Sequence, residues 1–330
     1  MIAVVCYCYT INDWEEKLTR QINRIYSSGL YDNANELYLY ISDPDNKFRS
    51  IVENILKEYP KFILDYTNIN YGEGYLALCK VDDLARSSND YKILYFHTKG
   101  VFNKFKNFDT KEINTLKISG VECWVELLEH FVIDKWKDCV DKLDEYDTVG
   151  VTNMGNWWWG NFWWVRSSHV QKNIPFKKYY NGSRWVCEGW LHDSNTEKNS
   201  IKPFEWFHFQ YDPYYTIIPK YFYDGTDISQ IQFNIVKAEY GYFAEQRDEG
   251  RRLGDVETKT IDVTDTTKEL VGQQNNKRIY LHAFQVAKGI DPAQNKEKIV
   301  RITFRTNIDP ENEYIISSFS SFLLDFGYKN

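Results

Sequence analysis

Residues 92–102 have the sequence KILYFHTKGVF, in which an apolar run ends abruptly at a histidine, a threonine, a lysine and a glycine. The ammonium of Lys99 is a compact cation with three hydrogen-bond donors, which suits it to neutralising negative charge on phosphate oxygens. His97 could donate to a phosphate oxygen or serve as one ligand of a metal. The structural alternatives are a core histidine bonded to a backbone carbonyl and a solvated loop lysine.

A second group of candidate side chains lies between residues 157 and 191. Five tryptophans occur in WWWGNFWW at 157–164, and indole rings either fill a core or stack on flat apolar faces of a ligand. Glu188, in the sequence CEGWL, can act as a general base or interact with the positive end of a helix dipole. The pair Asp82 and Asp83 is the nearest acidic metal motif, but its helical context favours a solvated helix face.

Alternating strand and helix patterns in the first 100 residues would position these groups. Parallel sheets formed from such alternation bind ligands at the carboxyl ends of the strands, near a switch in strand order. This placement puts Tyr9, Thr10, Asn68, Asn70, Gly72 and Thr98 around one cleft as candidate ligand-binding residues, with ordinary turn residues as the alternative. The predicted strands are 2–8, 36–42, 62–67 and 92–97, and the predicted helices are 13–28, 47–58 and 74–86.

The later sequence predicts one long helix and then a change of fold. Residues 120–143 have the apolar spacing of a helix, and 149–153 read as a short strand. From about residue 229, short alternating runs separated by turn residues predict an all-β sandwich. We therefore predict an α/β domain over 1–222 and a β-sandwich over 229–330.

Composition limits the classes of function. The chain is 43% hydrophobic and 17% aromatic, with a formal charge of −7. That charge disfavours nucleic acid as the main partner. The six cysteines lack the spacing of a zinc site, which favours reduced thiols and a cytoplasmic protein. The sequence shows neither a signal peptide nor a transmembrane stretch, and peripheral membrane contact remains open.

Three stretches together resemble a group of bacterial and giant-virus proteins regarded as GT-A-type glycosyltransferases. They are SSGLYD at 27–32, YFHTKG at 95–100 and GNFWW at 160–164, and the resemblance covers roughly residues 1–215. It implies a GT-A-like fold, with a mainly parallel Rossmann-like sheet covered by helices on both faces. It also implies transfer of a hexose-type sugar from a nucleotide-sugar donor to a glycan, lipid-linked or glycoprotein acceptor. SSGLYD itself, with Gly29 at a helix end, is interpreted as structural.

The resemblance assigns roles to individual residues. It implies that the candidate ligand-binding residues at the strand ends bind the nucleotide, because GT-A folds hold the base and ribose after strands one and three. Many GT-A enzymes hold Mn²⁺ or Mg²⁺ with Asp-x-Asp, but this chain has His97-Thr98-Lys99 there, so metal-independent catalysis with Lys99 on the leaving diphosphate competes with a metal site. Glu188 corresponds to the base of an inverting enzyme. WWW at 157–159 departs from the His-Phe-Ser that often precedes GNFWW, which leaves open an acceptor platform or a hydrophobic contact patch. The candidate acceptor-binding residues are Asn161, Trp159, Trp163, Trp164, Trp190 and His208.

Two other classes of function remain. The missing Asp-x-Asp is compatible with a carbohydrate-binding or scaffold protein built on an inactive transferase fold. A different nucleotide-dependent α/β enzyme is the third possibility. The sequence CYCYTIND after the first strand lacks a glycine-rich dinucleotide fingerprint, which disfavours a dehydrogenase.

Overall fold

The structure is a computed structural model that describes residues 1–68, 74–99, 115–196, 201–207, 212–226, 231–244, 258–272, 278–293, 298–318 and 321–325. The chain forms two compact units. The first comprises Met1–Phe102 and Leu128–Phe207, and the second comprises Asn103–Leu127 and His208–Asn330. The domain boundary predicted between 222 and 229 stays a prediction.

A seven-stranded sheet organises the first unit. The predicted α/β class with a mostly parallel sheet is confirmed. Helices lie between and after the strands in sequence: α1 (Trp14–Ser27), α2 (Leu30–Asn33), α3 (Arg49–Leu56), α4 (Tyr75–Ser87), α5 (Thr115–Glu129), α6 (Trp136–Lys142), α7 (Ser167–Val170), α8 (Phe176–Tyr179) and α9 (Arg184–Asp193). Of these, α5 belongs to the first unit only at Leu128 and Glu129. The strands are β1 (Ile2–Tyr9), β2 (Glu36–Ser42), β3 (Phe62–Thr67), β4 (Lys92–His97), β5 (Thr148–Gly150), β6 (Trp163–Arg166) and β7 (Pro203–Glu205).

The strand order contains the switch point that the sequence pattern requires. The order is β3-β2-β1-β4-β6-β5-β7, and β6 runs antiparallel to both of its neighbours. From β1 the chain builds outward through β2 and β3, and it then returns to place β4 on the other side of β1. Ligands of open α/β sheets bind outside the carboxyl ends of the strands at such a reversal. The gap between the ends of β1 and β4 is therefore the expected binding position.

Both faces of the sheet are covered. Successive side chains of a strand point to opposite faces, and neighbouring residues of the central strands are buried on both. Tyr95 and Trp163 pack in a core cluster that includes Ala77 of α4 and Trp190 of α9. On the neighbouring position of β6, Trp164 is fully buried and donates its indole N–H to the carbonyl of Val132 at 2.8 Å. Continuous apolar strands such as β1 and β4 are the consequence of this double burial.

The helix predicted over 120–143 is interrupted. A π-helical turn, His130–Asp134, separates α5 from α6. Arg24 of α1 bonds Glu129 at 3.2 Å and Asp134 at 2.6 and 2.7 Å. Residues five apart diverge around an α-helix of 3.6 residues per turn, whereas the wider turn lets both carboxylates reach one guanidinium.

SSGLYD is structural in its geometry, as its helix-end pattern indicates. Gly29 has φ +78°, a left-handed conformation that glycine adopts without a Cβ clash. The ammonium of Lys61 then bonds the carbonyls of Tyr31 (2.6 Å), Asp32 (3.2 Å) and Ala34 (2.9 Å) at the end of α2. A cation there satisfies carbonyls that lack helical partners.

The second unit contains a separate antiparallel sheet and helices. The predicted strand-rich module is confirmed at that level, but the all-β prediction missed α10 (Thr264–Gly272), which packs against β8 (Phe233–Tyr242) and β10 (Arg278–His282). The carboxylate of Asp262 accepts the N–H of Thr264 at 2.8 Å, which stabilises the start of this helix. The other elements are β9 (Lys259–Asp262), α11 (Ala283–Val286), β11 (Ile299–Thr306), β12 (Tyr314–Ser318) and β13 (Ser321–Asp325). The sheet order is β12-β11-β8-β9, and β10 pairs with β13 in a separate two-stranded sheet.

All six cysteines are free thiols, and five of them are buried. Within the described ranges, no helix combines the length and the apolar character needed to cross a bilayer.

Candidate functional site

The turn after β4 is held against the end of β1. Tyr7 and His97 are register partners in the parallel pair β1–β4. The N–H of Thr98 continues this ladder by donating to the carbonyl of Tyr7 at 3.0 Å. Lys99 follows at once, so its ammonium-bearing side chain starts from the switch point of the sheet.

His97 is bonded to the second sequence motif. Its Nε2 lies 3.0 Å from the carbonyl oxygen of Gly160, so Nε2 carries the proton and donates. Burial lowers the pKa of His97 to about 3, and the nearby charges of Lys99 and Arg184 act in the same direction. The ring is therefore neutral at physiological pH. This geometry matches the structural alternative for His97, and its catalytic role stays a prediction.

Gly160 and Asn161 form a tight turn beneath Lys99. Both have left-handed φ angles, +71° and +58°. A Cβ added to Gly160 would lie 3.5 Å from Cδ and Cε of Lys99 and 2.4 Å from Cδ1 of Leu128. The lysine stem thus crosses the glycine, and the HTKG and GNFWW stretches, 60 residues apart in the chain, meet in space.

Gly160→Ala is expected to disrupt this meeting point. The left-handed backbone and the clash with buried Leu128 together should lower the free energy of unfolding by about 2–5 kcal/mol. Gly155→Ala is the matched control, because Gly155 has φ +84° but nothing within 4 Å of its Cβ position. It should lose only the backbone part, about 1–2 kcal/mol. Urea unfolding measures both, and equal losses would contradict the packing argument.

Glu188 lies on α9, on the same side of the sheet as His97. Cys187 and Trp190 of α9 pack in the cluster that contains Tyr95, and His97 is two residues beyond Tyr95 on the same strand face. The carboxylate of Glu188 is paired with Arg184, whose Nε lies 3.1 Å from Oε1. Sequence reasoning did not single out Arg184, although its spacing of four residues from Glu188 is the ion-pair spacing of a helix.

The candidate nucleotide-binding residues occupy different environments. Tyr9 is partly buried against the core cluster, and Asn68 is exposed at the end of β3, two strands away from β1. Thr98 is 3% exposed, so its side chain is buried and presents almost no surface to a ligand. Two further candidates, Asn70 and Gly72, lie outside the described residues.

Thr10 hydrogen-bonds a buried carboxylate, Asp43, that was not predicted from the sequence. Its hydroxyl donates to Asp43 at 3.0 Å. Asp43 also accepts the N–H groups of Lys47 (2.7 Å) and Phe48 (2.8 Å) and the phenol of Tyr66. Burial alone would raise the pKa of Asp43, but these hydrogen bonds outweigh it and leave the pKa below its ordinary value. Asp43 therefore fixes the loop after β2 beside Thr10.

The tryptophans divide into core and surface. Trp163, Trp164 and Trp190 are 1% exposed or less, so they have almost no surface for an acceptor in this structure. The indole of Trp163 donates to Oδ1 of Asn161 at 2.7 Å, which supports the turn. Trp159 is partly buried, and His208 lies outside the described residues. The exposed indoles of this unit are Trp157 at 39% and Trp185 at 71%, and the latter was not predicted.

The described residues contain no group of three or more His, Cys, Asp or Glu side chains placed to hold a metal ion. The prediction that Asp82 lies on a solvated helix face is wrong. Asp82 is 4% exposed, pairs with Arg86 at 2.6 Å and accepts the N–H of Phe176 at 2.9 Å. It is buried because it ties α4 to the start of α8. Its neighbour Asp83 is exposed and lies 3.5 Å from Lys177.

Buried neutral histidines predict sensitivity to acid. Burial lowers the pKa of His97 to about 3, of His192 to about 4, and of His169 as well. The unfolded chain takes up protons near pH 6.5, so the folded state loses stability as pH falls from about 6.5 towards 4. Burial raises the pKa of Asp82, so this one carboxyl group favours the folded state as the pH falls and offsets part of the loss. Urea unfolding should give a falling free energy of unfolding between pH 7 and 4.5, whereas a flat profile would contradict neutral burial.

No model of a known protein family matches the chain, and no curated protein matches it significantly. Its function must therefore be argued from its own residues.

Proposed function

We propose that the protein is a nucleotide-sugar-dependent glycosyltransferase of the GT-A type. One observation carries the proposal: His97-Thr98-Lys99 packs onto Gly160-Asn161 at the carboxyl edge of the sheet, beside its switch point. That edge is where open α/β sheets bind ligands. A cation whose stem is braced there is suited to an anionic leaving group such as a nucleoside diphosphate.

The chemistry requires a charge stabiliser and a base. As the bond between the anomeric carbon and the diphosphate oxygen breaks, the ammonium of Lys99 would neutralise the charge that develops on that oxygen. The acceptor hydroxyl oxygen forms the new bond to the anomeric carbon, and its proton passes to Glu188. Arg184 adds positive charge on the same side and holds Glu188 through their ion pair.

Mn²⁺ or Mg²⁺ would supply the same charge stabilisation in a metal-dependent enzyme. Since the described residues offer no three-ligand group for such an ion, the proposed steps use only Lys99, Arg184 and Glu188. The acceptor is proposed to be a glycan, lipid-linked or glycoprotein substrate, and a cytoplasmic location remains part of the proposal.

A thermal-shift screen of nucleoside diphosphates and nucleotide sugars, run with EDTA and with Mn²⁺, tests the proposal. A ligand that binds only the folded state raises the melting temperature. We expect at least one nucleotide sugar to stabilise the protein and to be hydrolysed or transferred. Stabilisation by glycans without any response to nucleotides would instead indicate a carbohydrate-binding or scaffold protein.

A further inference from the structure

Gln21 links the proposed site to the interior of the first unit. It lies on α1 and is 0% exposed, and its amide nitrogen donates two hydrogen bonds. Nε2 donates to Oε1 of Glu129 at 2.9 Å and to the carbonyl oxygen of His97 at 3.1 Å. These two acceptors fix the amide orientation, since a flipped amide would place its oxygen against both of them. Oε1 of Gln21 is buried without a hydrogen-bond partner among the described residues.

The bond to His97 controls one particular peptide group. The carbonyl of His97 and the N–H of Thr98 belong to the same planar unit. Gln21 holds its oxygen, and the carbonyl of Tyr7 holds its N–H at 3.0 Å. With both ends held, the plane cannot rotate, and its orientation sets the direction in which the backbone continues to Lys99.

Glu129 anchors Gln21 on the other side. Its carboxylate is fully buried and also accepts hydrogen bonds from the guanidinium groups of Arg20 and Arg24, each at 3.2 Å. These contacts come from one face of α1 and meet the residue that precedes the π-helical turn. A buried carboxylate with several charge-assisted donors forms a rigid anchor.

The contacts close into a circuit. Leu128, next to Glu129, is the side chain that a Cβ on Gly160 would strike. Gly160 in turn accepts the imidazole N–H of His97, whose carbonyl returns to Gln21. Two neighbouring residues of α5 therefore support Lys99. Glu129 acts through Gln21 on the peptide before Lys99, and Leu128 packs against Gly160 beneath it.

We propose that Gln21 is a positioning residue, which with Glu129 fixes the peptide before Lys99 and so places the lysine ammonium for the leaving group. This inference rests on the proposed function for its catalytic consequence, but its structural half is independent of any activity. Positioning errors of about 1 Å can cost about 100-fold in rate. Gln21 touches no reacting atom, so the loss should appear in the turnover number rather than in KM.

Gln21→Met tests the proposal, because methionine fills a similar volume and lacks the amide. The matched control is Gln171→Met. Gln171 also donates to a backbone carbonyl, that of Ala85 at 2.7 Å, and to a side-chain oxygen, Oδ1 of Asn89 at 2.7 Å. Gln171 follows the last residue of α7, and neither of its two acceptors belongs to the proposed site.

The first readout is the hydrogen-exchange rate of the Thr98 backbone N–H, which belongs to the peptide that Gln21 holds and donates to the carbonyl of Tyr7, measured by NMR. Q21M should raise this rate at least tenfold over wild type, while Q171M leaves it unchanged. The second readout is transfer kinetics, in which Q21M should lower kcat by about 10- to 100-fold with KM for the donor changed less than about threefold. Wild-type exchange and wild-type kcat in folded Q21M would overturn the inference.

Gln21→Asn keeps the inference testable if Q21M does not fold. Its shorter amide can reach one acceptor but not both, so intermediate effects on exchange and kcat are expected, and wild-type values would count against the proposal. The two proposals also fail separately. A wild-type protein that neither binds nor turns over nucleotide sugars removes the proposed function, whereas the proton-exchange result still decides whether Gln21 holds the turn.

Discussion

Lys99→Met is expected to lower the turnover number for sugar transfer by about 100- to 1000-fold, the usual cost of removing one preorganised charge stabiliser. Methionine keeps an apolar stem across Gly160 and removes only the ammonium. Because the charge on the leaving diphosphate develops mainly in the transition state, donor affinity should fall by much less. Steady-state kinetics together with calorimetric donor titration separate the two effects.

The control for this variant is Lys92→Met. Lys92 begins the same strand at the opposite edge of the sheet, where its ammonium bonds the carbonyl of Val140 at 2.7 Å and Asp144 at 2.5 Å. Removing that charge should alter stability slightly and leave turnover unchanged. A Lys99→Met protein with wild-type turnover would remove the lysine from the mechanism.

Glu188→Gln is expected to lower kcat by about 100- to 10,000-fold, since the amide cannot accept the proton of the acceptor hydroxyl. Glutamine preserves the shape and can still accept a hydrogen bond from Arg184, so the fold and donor binding should persist. Transfer rates and donor affinity, measured on the same preparation, check this expectation.

A matched ion pair provides the comparison for Glu188. Arg49 and Glu53 of α3 have the same four-residue spacing, with 3.2 Å between Nη1 of Arg49 and Oε1 of Glu53. Glu53→Gln removes an equivalent carboxylate elsewhere on the unit and should leave kcat unchanged. Near-full activity of Glu188→Gln would show that another group takes the proton.

The sheet could be predicted because its strands are short apolar runs separated by helical periodicity. β1, β2, β3 and β4 follow from that pattern within one residue at each end. The π-helical turn could not be predicted, because it depends on Arg24 of α1 reaching two carboxylates more than 100 residues away in the chain. Burial of Asp82 was missed for a similar reason, since its partner Phe176 lies on another helix.

The candidate site was predictable in its parts and not in its contacts. Apolar runs that end at polar residues marked His97 and Lys99, and an aromatic cluster marked Gly160 and Asn161. The bond between these segments depends on β6 pairing with β4, which local pattern does not encode. Gln21 carried no signal, because a glutamine on a helix reads as an ordinary surface residue until its neighbours are known. The alternation of side chains along β6 also could not predict which tryptophans contact a ligand, since both faces of β6 are buried.

A crystal structure of the protein with a nucleoside diphosphate, grown with EDTA and again with Mn²⁺, shows whether Lys99 binds the leaving group. We expect the diphosphate at the carboxyl ends of β1 and β4 in both crystals, with a β-phosphate oxygen about 3 Å from Nζ of Lys99. A diphosphate bound elsewhere, or bound only through Mn²⁺ with Lys99 turned away, would contradict this expectation.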